Sequence, residues 1–193
     1  MKGIFFVVTL AVAAGATTVS KAAIAFGQLD DFEGGTVMNW KEGFFSPNPP
    51  TNVPNGGPSG LGDNYLRNVS SGGMAAGGRM VMFNQVQWTG DYLGAGVNRI
   101  DADMANFGAT LLFMRIAVEG IPGQRYGSAN AVALPADGNW YPVSFDLTVA
   151  AMSPIIGTVD SLNVVLSNVS TLRILSAQAG PSWEGDVVAA TLG

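Results

Sequence analysis

The sequence predicts an all-β fold, a two-sheet antiparallel β-sandwich of the jelly-roll kind. Two observations carry this expectation. Gly, Pro, Asn and Ser recur beyond residue 25 and cut the chain into short segments, and no apolar pattern of period 3.6 is sustained for the length of a helix. Between the breaks, apolar and polar residues alternate, as a strand with one buried and one wet face requires. Many such strands in succession argue for two packed sheets.

The strongest strands are expected at 79–84, 99–104, 110–118, 141–147, 161–166 and 171–175, with turn signals at 106–108, 121–124 and 135–138. Period 2 assigns their faces. Leu112, Met114, Ile116 and Val118 share one side of their strand, opposite Leu111, Phe113, Arg115 and Ala117. Val143, Phe145 and Leu147 oppose Ser144 and Asp146, and Ile100, Ala102 and Met104 oppose Asp101 and Asp103. The stretch 46–62 holds half of the ten prolines and reads as a long loop packed over one end of the sandwich, and 70–78, rich in Gly, Ala and Ser, as another. No internal repeat is found.

The N-terminus has the layout of a secretory signal peptide. Lys2 precedes an apolar run of about 13 residues from Ile4 to Ala16, short of the roughly 20 that span a bilayer. Small residues occupy the places before a cut after Ala25, with a cut after Ala16 as the alternative. An uncleaved membrane anchor or a buried helix is the competing reading of this run. The expected mature chain, 26–193, has the size of one domain and is secreted, extracellular or on the cell surface, with no membrane span.

Composition narrows the chemistry. Without Lys2 and Lys21, seven of the nine basic residues remain, against fourteen acidic ones. Such a surface offers no electrostatic footprint for nucleic acid. The chain has neither cysteine nor histidine, which excludes disulfides, Ser-His-Asp and Cys-His catalysis and Cys/His zinc sites.

The order of motifs resembles a family. Asp-Asp-Phe-Glu-Gly-Gly-Thr at 30–36 and Asn-Trp at 39–40 precede Asn-Val-Pro-Asn-Gly-Gly-Pro at 52–58 and Gly-Asp-Asn-Tyr-Leu at 62–66. Then come Phe83-Asn84, Gln-Trp-Thr-Gly-Asp-Tyr at 87–92, Asn-Phe-Gly at 106–108, Leu-Pro-Ala at 134–136, Trp140 and Leu-Arg-Ile-Leu at 172–175. This series resembles secreted bacterial jelly-roll proteins that often carry a Pro-Glu-Pro sorting tail. They are similar to the carbohydrate-binding-module or galactose-binding class of sandwiches. In that family the last strand runs on through an Asp-Asn-Ile segment, whereas this sequence stops at Thr191-Leu-Gly193. The comparison implies a domain without its last strand or a C-terminal anchor.

The expected function is non-catalytic binding or display, for a carbohydrate or another cell-surface or matrix polymer. Trp40, Trp88, Trp140, Trp183, Tyr65, Tyr92, Phe44 and Phe45 are candidate platforms for the apolar face of a sugar ring. Trp88 and Tyr92, flanking Thr-Gly-Asp in a loop-like stretch, stand out among them. Arg115, Arg173, Asp101 and Asp103 oppose apolar stripes, and on neighbouring strands they would suit hydrogen-bonding to hydroxyls. Ion pairing on a solvated sheet is the plainer account. A structural or adhesive surface protein without a small ligand is the alternative function. A hydrolase or lyase drafting Asp101/Asp103 or Asp31/Glu33 ranks behind both. Finally, Asp31 and Glu33 on one side of an opening strand, with Phe32 turned inward, suggest a structural Ca²⁺. The resembled sandwiches often hold calcium between first and last strands, so carbonyls of 56–63 and Asp186 would complete its shell.

Overall fold

The computed structural model describes residues 24–43 and 45–193. Most of the expected signal peptide (1–25) and the candidate platform Phe44 lie outside the described residues. Along the chain run β1 (Thr51–Val53), β2 (Tyr65–Ser71), β3 (Val81–Asn84), β4 (Arg99–Ala105), β5 (Leu112–Glu119), β6 (Arg125–Ser128), β7 (Val132–Leu134), β8 (Trp140–Asp146) and β9 (Met152–Pro154). A short helix α1 (Leu162–Leu166), β10 (Thr171–Ser176) and β11 (Ala189–Leu192) complete the order. All strand pairs are antiparallel. The expected all-β sandwich is the observed one.

One sheet is ordered β3-β10-β5-β6-β9, and β7 continues the β6 side of β5. Its centre is the β5–β10 pair, in register from Thr171 opposite Glu119 to Ser176 opposite Met114. The inward stripe Leu112, Met114, Ile116 and Val118 is fully buried, as its alternation demands. The opposite face of β5 is not wet. Arg115 and Ala117 are buried as well, because Val81, Ile155 and Trp183 pack over Ala117, Leu175 and Ala177 as a second small core.

The other sheet is built from two pieces. β2 pairs with β1 on one side and with β11 on the other, and β4 pairs with β8 from Arg99 opposite Asp146 to Ala105 opposite Trp140. Ala105 and Gly193 then exchange both backbone hydrogen bonds, at 3.0 and 2.9 Å, and Phe107 N–H donates to Thr191 O. These bonds join the pieces in the order β8-β4-β11-β2-β1. Leu66, Ile100, Met104, Val143, Phe145 and Leu192 face inward, against Met82, Leu172 and Ile174 of the first sheet. At roughly 1.5–3 kcal/mol per large apolar side chain, this layer is the main source of stability in a fold without disulfides.

Three expectations need correction. Residues 161–166 form no strand: Ser161 accepts from Val164 N–H as an N-cap, and Leu162, Val165 and Leu166 are buried at helical spacing in α1. A six-residue segment with four apolar residues satisfies either period, and here its burial against β5 and β6 selects the helix. The stretch 46–62 is not all loop, because Thr51–Val53 pairs with Tyr65–Arg67 as β1. Likewise the stretch 70–78 begins inside β2, with Ser70 and Ser71 opposite Ala190 and Ala189.

One carboxyl is built into the interior. Glu42 is buried, takes a hydrogen bond from Ser46 Oγ on Oε2 and leaves Oε1 without a partner. Neighbouring Asn68, also buried, leaves Oδ1 unpaired. Burial raises the Glu42 pKa above its ordinary 4.5, against the opposing pull of Ser46 and Asn68. The neutral form of the carboxyl is thereby favoured in the folded state relative to the unfolded chain. Because the folded pKa is raised, this contribution to stability is complete below the ordinary glutamate range and is lost as pH rises through the folded value. Thermal melts across pH should therefore show wild type losing stability relative to Glu42→Gln as pH rises above about 4.3. A pH-independent difference would contradict a raised Glu42 pKa.

Candidate functional site on the outer face of the five-stranded sheet

Alternation along β8, β4 and β2 sends one polar and aromatic set to the outer face of the second sheet. The register aligns it in rows. Trp140 lies opposite Ala105 and Ala105 opposite Gly193. The next row pairs Pro142 with Asp103, and the next Ser144 with Asp101. On the far side, β2 contributes Tyr65 and Arg67 to the same face.

Three rings close over the small residues at the end of β11. Tyr65 and Trp140 meet edge to face with centroids 5.3 Å apart, and Phe107 stands 5.8 Å from Tyr65 and 5.9 Å from Trp140. Gly193 sits directly beneath: a Cβ there would come within 2.6 Å of Phe107, 3.0 Å of Tyr65 and 3.1 Å of Trp140. Only glycine allows the rings so close to the sheet. Trp140 Nε1 donates to Gly56 O at 3.0 Å, which ties the proline-rich turn to the same rim.

Beside the rings lies a carboxylate row. Asp101 accepts from Ser144 Oγ at 2.6 Å and pairs with Arg99 Nε at 2.9 Å. Ser144, and then Arg99, hold its pKa below the usual aspartate value. Asp101 and Asp103 are both exposed. A cleft of about 640 Å³ opens along this row, bordered by Tyr65, Asp103, Pro142 and Trp140, and reaches down to Met82, Trp88 and Ile174 between the sheets.

The other expected ligand residues are elsewhere. Tyr92 is fully buried, its hydroxyl donates to Trp88 O, and burial pushes its pKa well above the ordinary phenol value. Trp88 is half-buried on the cleft floor, where its Nε1 and that of Trp40 both donate to Asp30 Oδ2 at 2.7 Å. Arg115 is buried, with Nε on Ala177 O and an Nη on Ser128 O and Ala129 O. Arg173 lies between the rings of Trp183, at 4.0 Å, and Phe83, at 5.3 Å, and desolvation brings its pKa down to about 10. Both arginines belong to the β5–β10 sheet, whereas Asp101 and Asp103 lie on β4 in the other. The expected shared face of two guanidinium groups and two carboxylates therefore does not form. The missed members, Phe107 and Arg67, left only one trace in the sequence, the Asn-Phe-Gly turn that places a large ring where a polar residue is usual.

Asp31 and Glu33 do not open a strand. Phe32 has φ of +59°, a left-handed turn held by Asn52 Nδ2 donating to Phe32 O at 2.8 Å. Asp31 Oδ1 accepts from Glu33 N–H and Glu33 Oε1 from Asn64 N–H, while Asp186 accepts from Ser176 Oγ and Gln178 N–H. Among the described residues no group of three or more acidic side chains is gathered as a metal site.

No known family matches the chain, and no curated protein matches it. Among solved structures, one described as the structural analysis of an exo-β-agarase superposes on 85% of this chain with a TM-score of 0.55 and 13% identity. The shared feature is the sandwich fold. This chain spans only 24% of that one.

The structural assignment of Arg115 has a measurable consequence. Arg115→Met should leave three carbonyls without their donor and cost on the order of 3 kcal/mol in urea unfolding. A loss below about 1 kcal/mol would show that the guanidinium is not needed by the fold.

Proposed function

We propose that this protein is an exported, non-catalytic carbohydrate-binding sandwich that holds polysaccharide on the outer face of the β8-β4-β11-β2-β1 sheet. The observation that carries the proposal is the gathering of Tyr65, Phe107 and Trp140 beside Asp101, Asp103 and Ser144 on one exposed face. Aromatic faces offer apolar area to the C–H side of a sugar ring, and ionised carboxylates accept from its hydroxyls. Arg67, exposed on β2, adds donors across from them.

Two features favour binding over hydrolysis. An acid catalyst needs a carboxyl with a raised pKa at the bond to be broken. Asp101 is shifted the other way, and the raised carboxyl of Glu42 is enclosed in the interior. The agarase likeness makes a galactan gel the first polymer to try. Secretion and the resemblance to the sorting-tail sandwiches belong to the same proposal, since polysaccharide of this kind lies outside the cell.

Retention on insoluble polysaccharides, beginning with agarose, tests the reading. Wild-type protein should be retained, and Trp140→Ala and Tyr65→Ala should each weaken binding by about tenfold or more with the fold intact. Tyr92→Phe should bind as wild type. Failure of the wild type on a broad glycan panel, or equal binding by the Trp140 and Tyr65 variants, would overturn it and leave a structural or adhesive role.

A further inference from the structure

The cations of the described residues are unevenly placed. Arg67 and Arg99 belong to the β8-β4-β11-β2-β1 sheet, whereas Lys41, Arg79, Arg115, Arg125 and Arg173 lie on the other sheet or at its edge. Most of these five have partners. Arg79 pairs with Glu184 at 3.5 Å, Arg125 with Glu119 at 2.7 Å, and Arg115 is enclosed on three carbonyls. Lys41 and Arg173 have no carboxylate partner among the described residues.

The register sets these two side by side. Lys41 exchanges both backbone hydrogen bonds with Phe83, at 3.0 and 2.8 Å, on the free edge of β3, and Phe83 lies opposite Arg173. Lys41 Nζ and the Arg173 guanidinium carbon are each 5.3 Å from the Phe83 ring centroid. Arg173 also stacks on Trp183 at 4.0 Å, and Arg125 reaches the same indole at 4.4 Å.

Ring faces attract the charge of a guanidinium but leave the N–H bonds in its plane in need of acceptors. In Arg173, Nη1 donates to Trp183 O at 2.7 Å. Nε is buried with no acceptor, and Nη2, which makes no hydrogen bond among the described residues, is not enclosed. Nε and Nη2 form one edge of the guanidinium, with two parallel N–H bonds. That is the fork that grips a carboxylate or a sulfate through two oxygens. Desolvation, and then the like charge of Arg125, bring the Arg173 pKa down to about 10 against the pull of Glu119 and Glu184. The carboxylates around this guanidinium therefore do not offset its burial.

We propose that Arg173 and Lys41 form an oxyanion site at the β3 edge, which takes a sulfate half-ester or a carboxylate borne by a polysaccharide. The oxyanion enters at Nη2 and lies in the guanidinium plane, with two oxygens on Nη2 and Nε. Lys41, exposed and on a flexible stem, supplies the second positive charge from beside Phe83. The polysaccharide as carrier rests on the function proposed above; the oxyanion site does not. A neutral sugar has nothing for the fork to hold, so the site adds selectivity for charged polymers without sharing residues with Tyr65, Phe107 and Trp140.

Titration of the full chain with inorganic sulfate at low ionic strength, followed on the arginine Nε–H resonances, tests the site. The Arg173 signal should move saturably, and neither chloride at equal ionic strength nor a neutral oligosaccharide should reproduce the shift. Arg173→Lys keeps the charge but removes the fork, and should weaken sulfate binding by about tenfold or more. Lys41→Gln, which leaves the backbone bonds to Phe83 in place, should weaken it by roughly threefold and flatten its salt dependence. Retention on a sulfated galactan and on a polyuronate identifies the carrier: the polymer bearing the recognised group should lose about tenfold in affinity with Arg173→Lys, and agarose none. An Arg173 signal unmoved by sulfate, an equal shift with chloride, wild-type sulfate affinity in both variants, or no loss on either charged polymer would overturn the proposal. Agarose retention and Trp140→Ala report on the outer face of the other sheet alone, so a failure there is told apart from a failure here.

Discussion

The two backbone hydrogen bonds between Ala105 and Gly193 set the geometry of everything on the outer face. They weld the β4–β8 pair to β11 and so make one sheet of two pieces. They also fix parity along β4: odd residues send their side chains outward and their backbone toward β11, while even residues fill the core and bond β8. Asp101 and Asp103 become surface groups by that rule, and Trp140 is brought level with Gly193. The absence of a side chain at Gly193 then lets Tyr65, Phe107 and Trp140 converge over it. One close approach, made by one glycine, places the rings and the carboxylates together.

The two sheets divide the work. In the β5–β10 sheet, charges that the alternation sends outward are covered: Arg115 is spent on three carbonyls and Arg173 on two aromatic faces, beneath Trp183 and the segment around it. Desolvation lowers the pKa of both arginines, yet hydrogen bonds and ring quadrupoles offset the cost of enclosing them. In the other sheet the outward groups meet water and stay available to a ligand. The distinction arises because residues 177–188 return over one sheet, with Arg79 bridged to Val187, before β11 joins the other.

The fold was legible in the sequence because period 2 survives in isolation: Leu112 to Val118, Val143 to Leu147 and Ile100 to Met104 face inward as their spacing requires. What was not legible depends on long-range contacts. Leu162 to Leu166 fits either period until its neighbours are known. Thr51–Val53 has no pattern long enough to stand out among prolines. Arg115 looks like a surface residue because alternation reports which side a side chain takes, not what covers that side. The site suffered most. Trp88 and Tyr92 stand out in the sequence for their loop-like setting, but Trp88 turns its indole N–H to Asp30 and Tyr92 fills the core, whereas Tyr65, Phe107 and Trp140 converge from three separate segments that only the register unites.

Chemical-shift mapping during titration with a soluble oligosaccharide locates the ligand on the surface. The account predicts that perturbations gather on the outer face, at the Trp140 indole, Tyr65, Arg67, Asp101 and Asp103, while the even-numbered core positions of β4 and the Arg173–Trp183 stack are unaffected. Perturbations centred on Arg173 and Trp183, or none at saturating sugar, would contradict it.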